Sequence, residues 1–132
     1  MLTRAESVGI NKGGGRMMIM HIMQVSQMKR VLMEGEYTPA SLEKEGFIHC
    51  STPEQVVDVA NALYKGRNDL LLLQIDEKLV KPEIVYEDLY ETGKLYPHIY
   101  GPLNMDAVIR IDEFVPRPDG TFELSINPAR LN

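Results

Sequence analysis

Three histidines are the residues of this chain whose surroundings most suggest chemistry. His21, His49 and His98 each lie inside an apolar, strand-like context. A surface histidine lies more often among charged residues, and every buried imidazole needs hydrogen-bond partners. Because three buried imidazoles are costly unless they serve a site, we expect all three to line one common pocket.

His49 belongs to the string GFIHCS at residues 46–51, which is typical of a short buried strand. Side chains alternate along a strand, so His49 and Ser51 share one face at the strand end. Cys50 points to the opposite face and is expected in the core, where a thiol packs as a small apolar group and is no nucleophile.

A helix is predicted to follow this strand directly. Its start is indicated by an N-cap, a first-turn proline and a capping-box glutamine: Thr52, Pro53 and Gln55. Free N–H groups at a helix start favour anions, so we expect Ser51 and the helix N-terminus to bind a phosphate-bearing ligand, with His49 donating a hydrogen bond. The alternative is a capped helix beside a histidine that bonds the backbone.

Glu87 is the best carboxylate candidate, because it ends a predicted strand; the alternative is a solvated strand end. Further along, Tyr96, His98 and Tyr100 share one face by strand alternation, while Pro97 predicts a sheet edge or a strand start. No acid neighbours any histidine in the sequence, and no His-x-x-x-His or Cys-x-x-Cys pair occurs. We therefore expect no bound metal.

The elements that position these residues follow from hydrophobic patterning. Strands are predicted at residues 17–23, 47–50, 69–76, 84–87, 107–112 and 121–126, with a further strand-like segment at 96–103, and helices at 27–34 and 53–65. Residues 36–45 are predicted to be a polar connection. Both helices lie in the first half of the chain, which favours an α+β fold with a mixed or antiparallel sheet.

Composition limits the classes of protein that fit. With 132 residues, 44% hydrophobic and 25% charged, the chain suits one globular domain, predicted over residues 16–132. Residues 1–15 are polar, end in three glycines and are predicted to be a flexible extension. The net charge of −5 argues against nucleic-acid binding by the whole surface. A single cysteine fits a cytoplasmic protein, and no stretch approaches the roughly 20 apolar residues of a membrane helix.

Several uncommon strings, in order, resemble the bacterial domain-of-unknown-function family 952. They are GFIHCS at 46–51, QV at 55–56 with AN at 60–61, ID at 75–76, YE at 86–87 and YPHIYGPL at 96–103. The likeness covers about residues 18–124. The family's fold resembles the ADP-ribosyltransferases and RNA 2′-phosphotransferases, which bind NAD in the cleft of a split, mixed sheet. In those enzymes an early-strand histidine holds the adenosine ribose, and His21 occupies a comparable position.

The resemblance implies a transferase-like enzyme with NAD or another nucleotide as substrate. Its catalytic residues would be Glu87 and His49, and its ligand-binding residues His21, Ser51, His98 and Tyr100. The expected partner is a small phosphorylated or nucleotide ligand, and an RNA 2′-phosphate stays open as one. Two other classes also stay open: a noncatalytic phosphate- or nucleotide-binding module, and a structural or interaction protein whose histidines are satisfied within the core.

Overall fold

The computed structural model describes residues 17–124, so the predicted extension at residues 1–15 lies outside the described part. Eight strands and three α-helices occur in this range. The strands are β1 (Met18–Gln24), β2 (Glu36–Tyr37), β3 (Ile48–His49), β4 (Leu70–Asp76), β5 (Glu83–Glu87), β6 (Tyr96–Tyr100), β7 (Leu103–Asn104) and β8 (Val108–Phe114). The helices are α1 (Met28–Glu34), α2 (Ala40–Glu45) and α3 (Val56–Leu63).

The described strands form two three-stranded sheets, in the orders β1-β4-β8 and β3-β6-β5, and a small β2-β7 ladder. Every strand pair is antiparallel, so of the two predicted alternatives, mixed or antiparallel, the antiparallel one holds. The two larger sheets meet where Met20 and Ser51 exchange backbone hydrogen bonds of 2.7 and 2.8 Å. This bridge brings β1, with His21, next to β3, with His49.

The apolar residues bury both faces of the β1-β4-β8 sheet. One face shares a core with the other large sheet and is built from residues such as Ile19, Leu73 and Ile99. The opposite face packs against Val56 and Ala60 of α3. A strand buried on both sides needs apolar residues at every position, which explains the four consecutive leucines of β4.

Helix α2 corrects the prediction of two helices and a polar connection. Its six residues include Leu42 as the only large apolar side chain, too few to produce a periodic signal. The helix is bounded by Pro39 before it and by Gly46 after it, which adopts φ 89°. Glycine takes this left-handed conformation without steric cost, so Gly46 ends α2 and turns the chain into β3.

Helix α3 starts three residues later than predicted. Residues 53–55 form a turn, and the helix proper begins at Val56. Only half of the predicted capping box forms: the Gln55 side-chain oxygen accepts from the Thr52 N–H at 3.0 Å. The Thr52 carbonyl oxygen accepts from the N–H groups of Gln55 and Val56, so these donors are already used at the start of the helix.

Two strand predictions also change. Residues 121–124 form no strand, and the rest of the predicted last strand lies outside the described residues. Of the two placements that Pro97 predicted, an edge or a strand start, the edge is wrong because β6 is the central strand of its sheet, whereas Pro97 does lie at the strand start. The proline is tolerated because it is the second residue of β6, and β3 ends at His49, opposite His98. At Pro97 only its carbonyl oxygen is needed, and it accepts from Cys50 N–H at 3.0 Å.

Among residues 17–124, no helix has the length and apolar content needed to cross a membrane.

Candidate functional site: a histidine and glutamate face of the small sheet

One face of the β3-β6-β5 sheet carries most of the predicted site residues. Ile48, Ile84 and Ile99 fill the core from its inner side and are fully buried. Because side chains alternate, His49 and His98 project from the other side, which we call the outer face. They are direct register partners on β3 and β6, and their ring centres lie 5.4 Å apart.

Glu87 lies on the same outer face and is held by two donors. Its Oε2 atom accepts a hydrogen bond from Nδ1 of His98 at 2.8 Å and another, short one from the hydroxyl of Tyr100. Both donors converge on one carboxylate oxygen. Within residues 17–124 the other oxygen, Oε1, forms no hydrogen bond, which leaves it available to a ligand.

Burial is the main cause of the pKa shifts of the two groups that donate to Glu87. The His98 side chain is only 3% exposed, and this burial lowers the pKa of its imidazole despite the neighbouring Glu87. Burial and then the Glu87 carboxylate raise the pKa of Tyr100 to about 12. At neutral pH, His98 is therefore neutral with its proton on Nδ1, because a carboxylate only accepts, and Tyr100 keeps its hydroxyl proton.

A second carboxylate, Glu45 at the end of α2, binds the other histidine. Its Oε1 contacts Nε2 of His49 at 2.7 Å, and its Oε2 accepts from the hydroxyl of Tyr90 at 2.8 Å. These hydrogen bonds, the one with His49 first, lower the pKa of the Glu45 carboxyl. The pair is open to solvent, with side chains 43% and 40% exposed for His49 and Glu45.

Aromatic rings surround the two histidines. Phe47 stacks on His98 with ring centres 4.2 Å apart and also contacts Tyr100 at 5.3 Å. Tyr90 stacks on His49 at 6.2 Å. Tyr90 belongs to the loop at residues 88–95, which Asp88 closes by accepting from the N–H groups of Thr92 and Gly93. Phe47 is itself buried, whereas Tyr90 and Tyr100 are 58% and 38% exposed, so these two tyrosines give the outer face aromatic surface beside its carboxylates.

His21 stands apart from this network. Its Nδ1 donates to the carbonyl oxygen of His49 at 2.6 Å, and its Nε2 accepts from the hydroxyl of Tyr37 at 2.7 Å. Burial lowers the pKa of His21 to about 4, so the ring is neutral and both nitrogens are occupied. The imidazoles of His49 and His98 come together, whereas His21 reaches His49 only through the backbone.

A narrow cleft joins the His21 region to the outer face. It has a volume of about 130 Å³, and its polar lining includes His21, His49 and Ser51. From α3 it receives Val59 and Leu63, which lie in the middle and last turn, so the first-turn N–H groups invoked for anion binding do not line it. A larger cavity of about 390 Å³ lies around Lys81 and Asn104 and contains none of the predicted site residues.

Several contacts of this site lie beyond what spacing predicts. Glu45, Tyr90 and Phe47 were not proposed as site residues. Although no acid neighbours a histidine in the sequence, the fold brings Glu45 to His49 and Glu87 to His98. Glu45 precedes His49 by four residues, which was the available signal. Cys50 lies in the core as expected, where burial raises the pKa of its thiol. Within residues 17–124, no group of three or more histidine, cysteine or acidic side chains is placed to hold a metal ion.

Comparison with known families identifies the chain's relatives. The family model described as Protein of unknown function (DUF952) matches residues 22–111. The chain belongs to this family. Within DUF952, the matched segment begins in β1, directly after His21, and contains Glu45, His49, Glu87 and His98. No curated protein matches the chain significantly in sequence.

Solved structures of another protein have a similar fold. The crystal structure of protein CC0527 from Caulobacter crescentus matches with a TM-score of 0.72 and 25% identity, over 80% of this chain and 93% of that one. The solution NMR structure of CC0527 matches with a TM-score of 0.65 and 26% identity, over 80% and 91%. The structures found are of CC0527 and not of ADP-ribosyltransferases, so they support the α+β fold but not the expected likeness to those enzymes.

Proposed function

We propose that this DUF952 protein is an enzyme that binds NAD or a related nucleotide at the outer face and transfers its ribosyl group, with Glu87 as the catalytic carboxylate. The observation that carries the proposal is the geometry of Glu87. His98 and Tyr100 hold one of its oxygens, while the other is free within the described residues. A carboxylate fixed in this way stabilises positive charge without having to reorganise during the reaction.

The chemistry suits the surroundings of Glu87. When the bond between nicotinamide and ribose breaks, nicotinamide leaves as a neutral base with the bonding electron pair, and the ribose acquires oxocarbenium character. The free oxygen of Glu87 would face that charge. An acceptor hydroxyl, or water where no other acceptor is present, then attacks the ribose carbon and releases its proton to the solvent. The ring of Tyr100, which is 38% exposed, offers a surface for the nicotinamide, and His49 and Ser51 offer polar contacts for the phosphates.

Turnover tests this function. Purified protein is incubated with NAD, and nicotinamide release is followed by liquid chromatography for the wild type, Glu87→Gln and the matched control Glu45→Gln. We expect release by the wild type and the control, and a loss of at least about 100-fold in Glu87→Gln. Release that is equal in all three proteins would refute the role of Glu87, and no release by the wild type would refute NAD cleavage.

A second function is supported by the size of the cleft. Its volume of about 130 Å³ is smaller than the roughly 300–1,000 Å³ of typical small-molecule sites. That space suits a single phosphate or ribose phosphate held by a noncatalytic binding module. Calorimetric titration with NAD, ADP-ribose and a 2′-phosphorylated nucleotide separates the alternatives, because a binding module gives saturable heat without product, and its affinity is unaffected by Glu87→Gln.

A further inference from the structure

Strand β8 forms an open edge of its sheet, and this edge exposes apolar residues, unlike the polar outer face. It is the last strand in the order β1-β4-β8, and no described strand pairs with its free side. Its seven residues contain no proline or lysine, and Ile109 and Ile111 are each 42% exposed. Natural edge strands are usually short, charged or covered, because an open edge pairs with other chains.

The other edges of the large sheets are better protected. β1 is joined to Ser51 through the two backbone hydrogen bonds at Met20. β3 has only two residues. β5 follows Pro82, which cannot donate to a ladder, and carries Glu83 and Glu87 at its ends. β8 also carries charged residues, but it is the longest described edge that neither follows a proline nor pairs outside its own sheet.

The sequence of β8 is complementary to itself. An antiparallel pairing of the whole strand with a second copy places its midpoint, Ile111, opposite Ile111 of that copy. Arg110 then lies opposite Asp112 of the second copy, and Asp112 opposite Arg110. Cross-strand pairs of opposite charge and of β-branched residues stabilise a sheet.

The same charges fix the register. Moving the two-fold axis by one residue in either direction places Arg110 opposite a second Arg110, or Asp112 opposite a second Asp112. Like charges directly opposite each other destabilise a sheet. Only the axis at Ile111 matches the charges and pairs all seven residues.

We propose that β8 is a homodimer interface, across which two copies join their β1-β4-β8 sheets into one continuous antiparallel sheet. The occupant of the edge is a second copy of this chain, because the alternation of Arg110, Ile111 and Asp112 is complementary to itself. A two-fold axis makes each such contact occur twice, so one complementary pair per strand contributes two pairs to the dimer. The interface involves no residue of the proposed active site.

Charge reversal tests the pairing with its own internal control. Light scattering after size exclusion should give the wild type twice the chain mass of 15.0 kDa. Arg110→Asp alone and Asp112→Arg alone should each be monomeric, with the dimer dissociation constant raised at least about 10-fold. An equimolar mixture of the two variants should form a heterodimer, because each reversed charge again meets its opposite, and the double variant R110D/D112R should recover the homodimer.

The mixture separates the interface from effects within one chain. Arg110 and Asp112 also form a salt bridge of 2.8 Å within the chain, which each single variant breaks. Mixing cannot restore an intrachain bridge, so recovery on mixing supports pairing between copies. Ile111→Lys should also give monomers, whereas Leu32→Lys, the same change at a 77% exposed site on α1, should leave the dimer intact. A monomeric wild type at millimolar concentration, or a mixture that stays monomeric, overturns the proposal.

Discussion

The outer face carries two neighbouring sets of one glutamate, one histidine and one tyrosine, and the two sets differ in how the carboxylate is hydrogen-bonded. Glu87 receives both His98 and Tyr100 on one oxygen and keeps the other free within the described residues. Glu45 receives His49 on one oxygen and Tyr90 on the other. The side chains of His98 and Glu87 are 3% and 21% exposed, whereas those of His49 and Glu45 are 43% and 40% exposed.

This difference separates a reactive group from a structural contact. With both oxygens bonded, Glu45 ties the loop at residues 88–95 and strand β3 to the end of α2. With one oxygen free in a partly desolvated position, Glu87 can act on a ligand, since electrostatic interactions are stronger away from water. Identical side chains therefore receive different roles from burial and from the direction of their hydrogen bonds.

The largest expected effect is on turnover. Glu87→Gln keeps the size of the side chain but removes its charge, so nicotinamide release should fall at least about 100-fold. Glu45→Gln should change the rate by less than about threefold, because its carboxylate does not face the ligand. The comparison fails if Glu45→Gln is the more damaging of the two, as measured by the initial rate at saturating NAD.

The second-largest effect is expected on the free energy of unfolding, which should fall more in His98→Ala than in His49→Ala. His98→Ala removes a buried ring that packs against Phe47 and leaves the Glu87 oxygen without one donor, so the free energy of unfolding should fall by about 2–3 kcal/mol. His49→Ala removes a half-exposed hydrogen bond with Glu45, which water can replace, and should cost less than about 1 kcal/mol. Urea unfolding monitored by circular dichroism measures both. Equal losses would mean that burial does not distinguish the two sets.

The two buried histidines, His21 and His98, should respond to acid in a different pH range from the exposed Glu45. The folded-state pKa values of His21 and His98 lie below the ordinary 6.5, so the folded state resists their protonation and stability is lost as pH falls below 6.5. With a folded pKa of about 4, His21 alone should cost about 2 kcal/mol by pH 5. Glu45, whose folded pKa is lowered from 4.5, contributes stability that is lost only below pH 4.5.

Unfolding free energies between pH 8 and pH 4 measure this separation. His98→Ala should show a shallower loss between pH 6.5 and pH 5 than the wild type. Glu45→Gln should follow the wild type over that interval and differ below pH 4.5. A wild-type profile that stays flat from pH 7 to pH 5 would contradict the buried, neutral state of both histidines.

The smallest effect concerns ligand affinity. A hydrogen bond from His49 to a phosphate involves a charged group and typically contributes about 1.5–3 kcal/mol, so His49→Ala should weaken nucleotide binding about 10-fold or more. Tyr37→Phe, which changes a hydroxyl bonded to His21 and outside the outer face, is the matched control and should leave affinity nearly unchanged. Calorimetric titration with ADP-ribose measures both variants. Equal affinity in wild type and His49→Ala would remove His49 from the site.

The sequence predicted the elements with strong hydrophobic patterns and missed those held by tertiary contacts. Strands β1 and β4 were predicted to within one or two residues, because buried apolar runs are distinctive. Helix α2 was missed because a six-residue helix with one large apolar residue has no period. The strand predicted at residues 121–126 has the right composition, yet Phe122 instead packs beside Phe114 and its N–H bonds the side chain of Asn61.

The sequence predicted which residues belong to the site but not which hydrogen bonds they form with one another. His49, His98 and Glu87 were named from local context, and strand alternation placed Tyr100 on the face of His98. The bond between Glu87 and His98 depends on the register of the β5-β6 hairpin, which spacing alone does not determine. The separate position of His21 depends on Tyr37, whose hydroxyl reaches it from a different small ladder.

The most direct test of the central claim follows the three imidazoles themselves. Nuclear magnetic resonance of ¹⁵N-labelled histidine side chains, recorded during titration with ADP-ribose, reports each ring separately. If the ligand binds at the outer face beside Glu87, the signals of His49 and His98 shift together along one saturation curve, while His21, with both nitrogens bonded, shifts least. Saturable binding that leaves the signals of His49 and His98 unchanged would mean that the ligand binds away from the outer face.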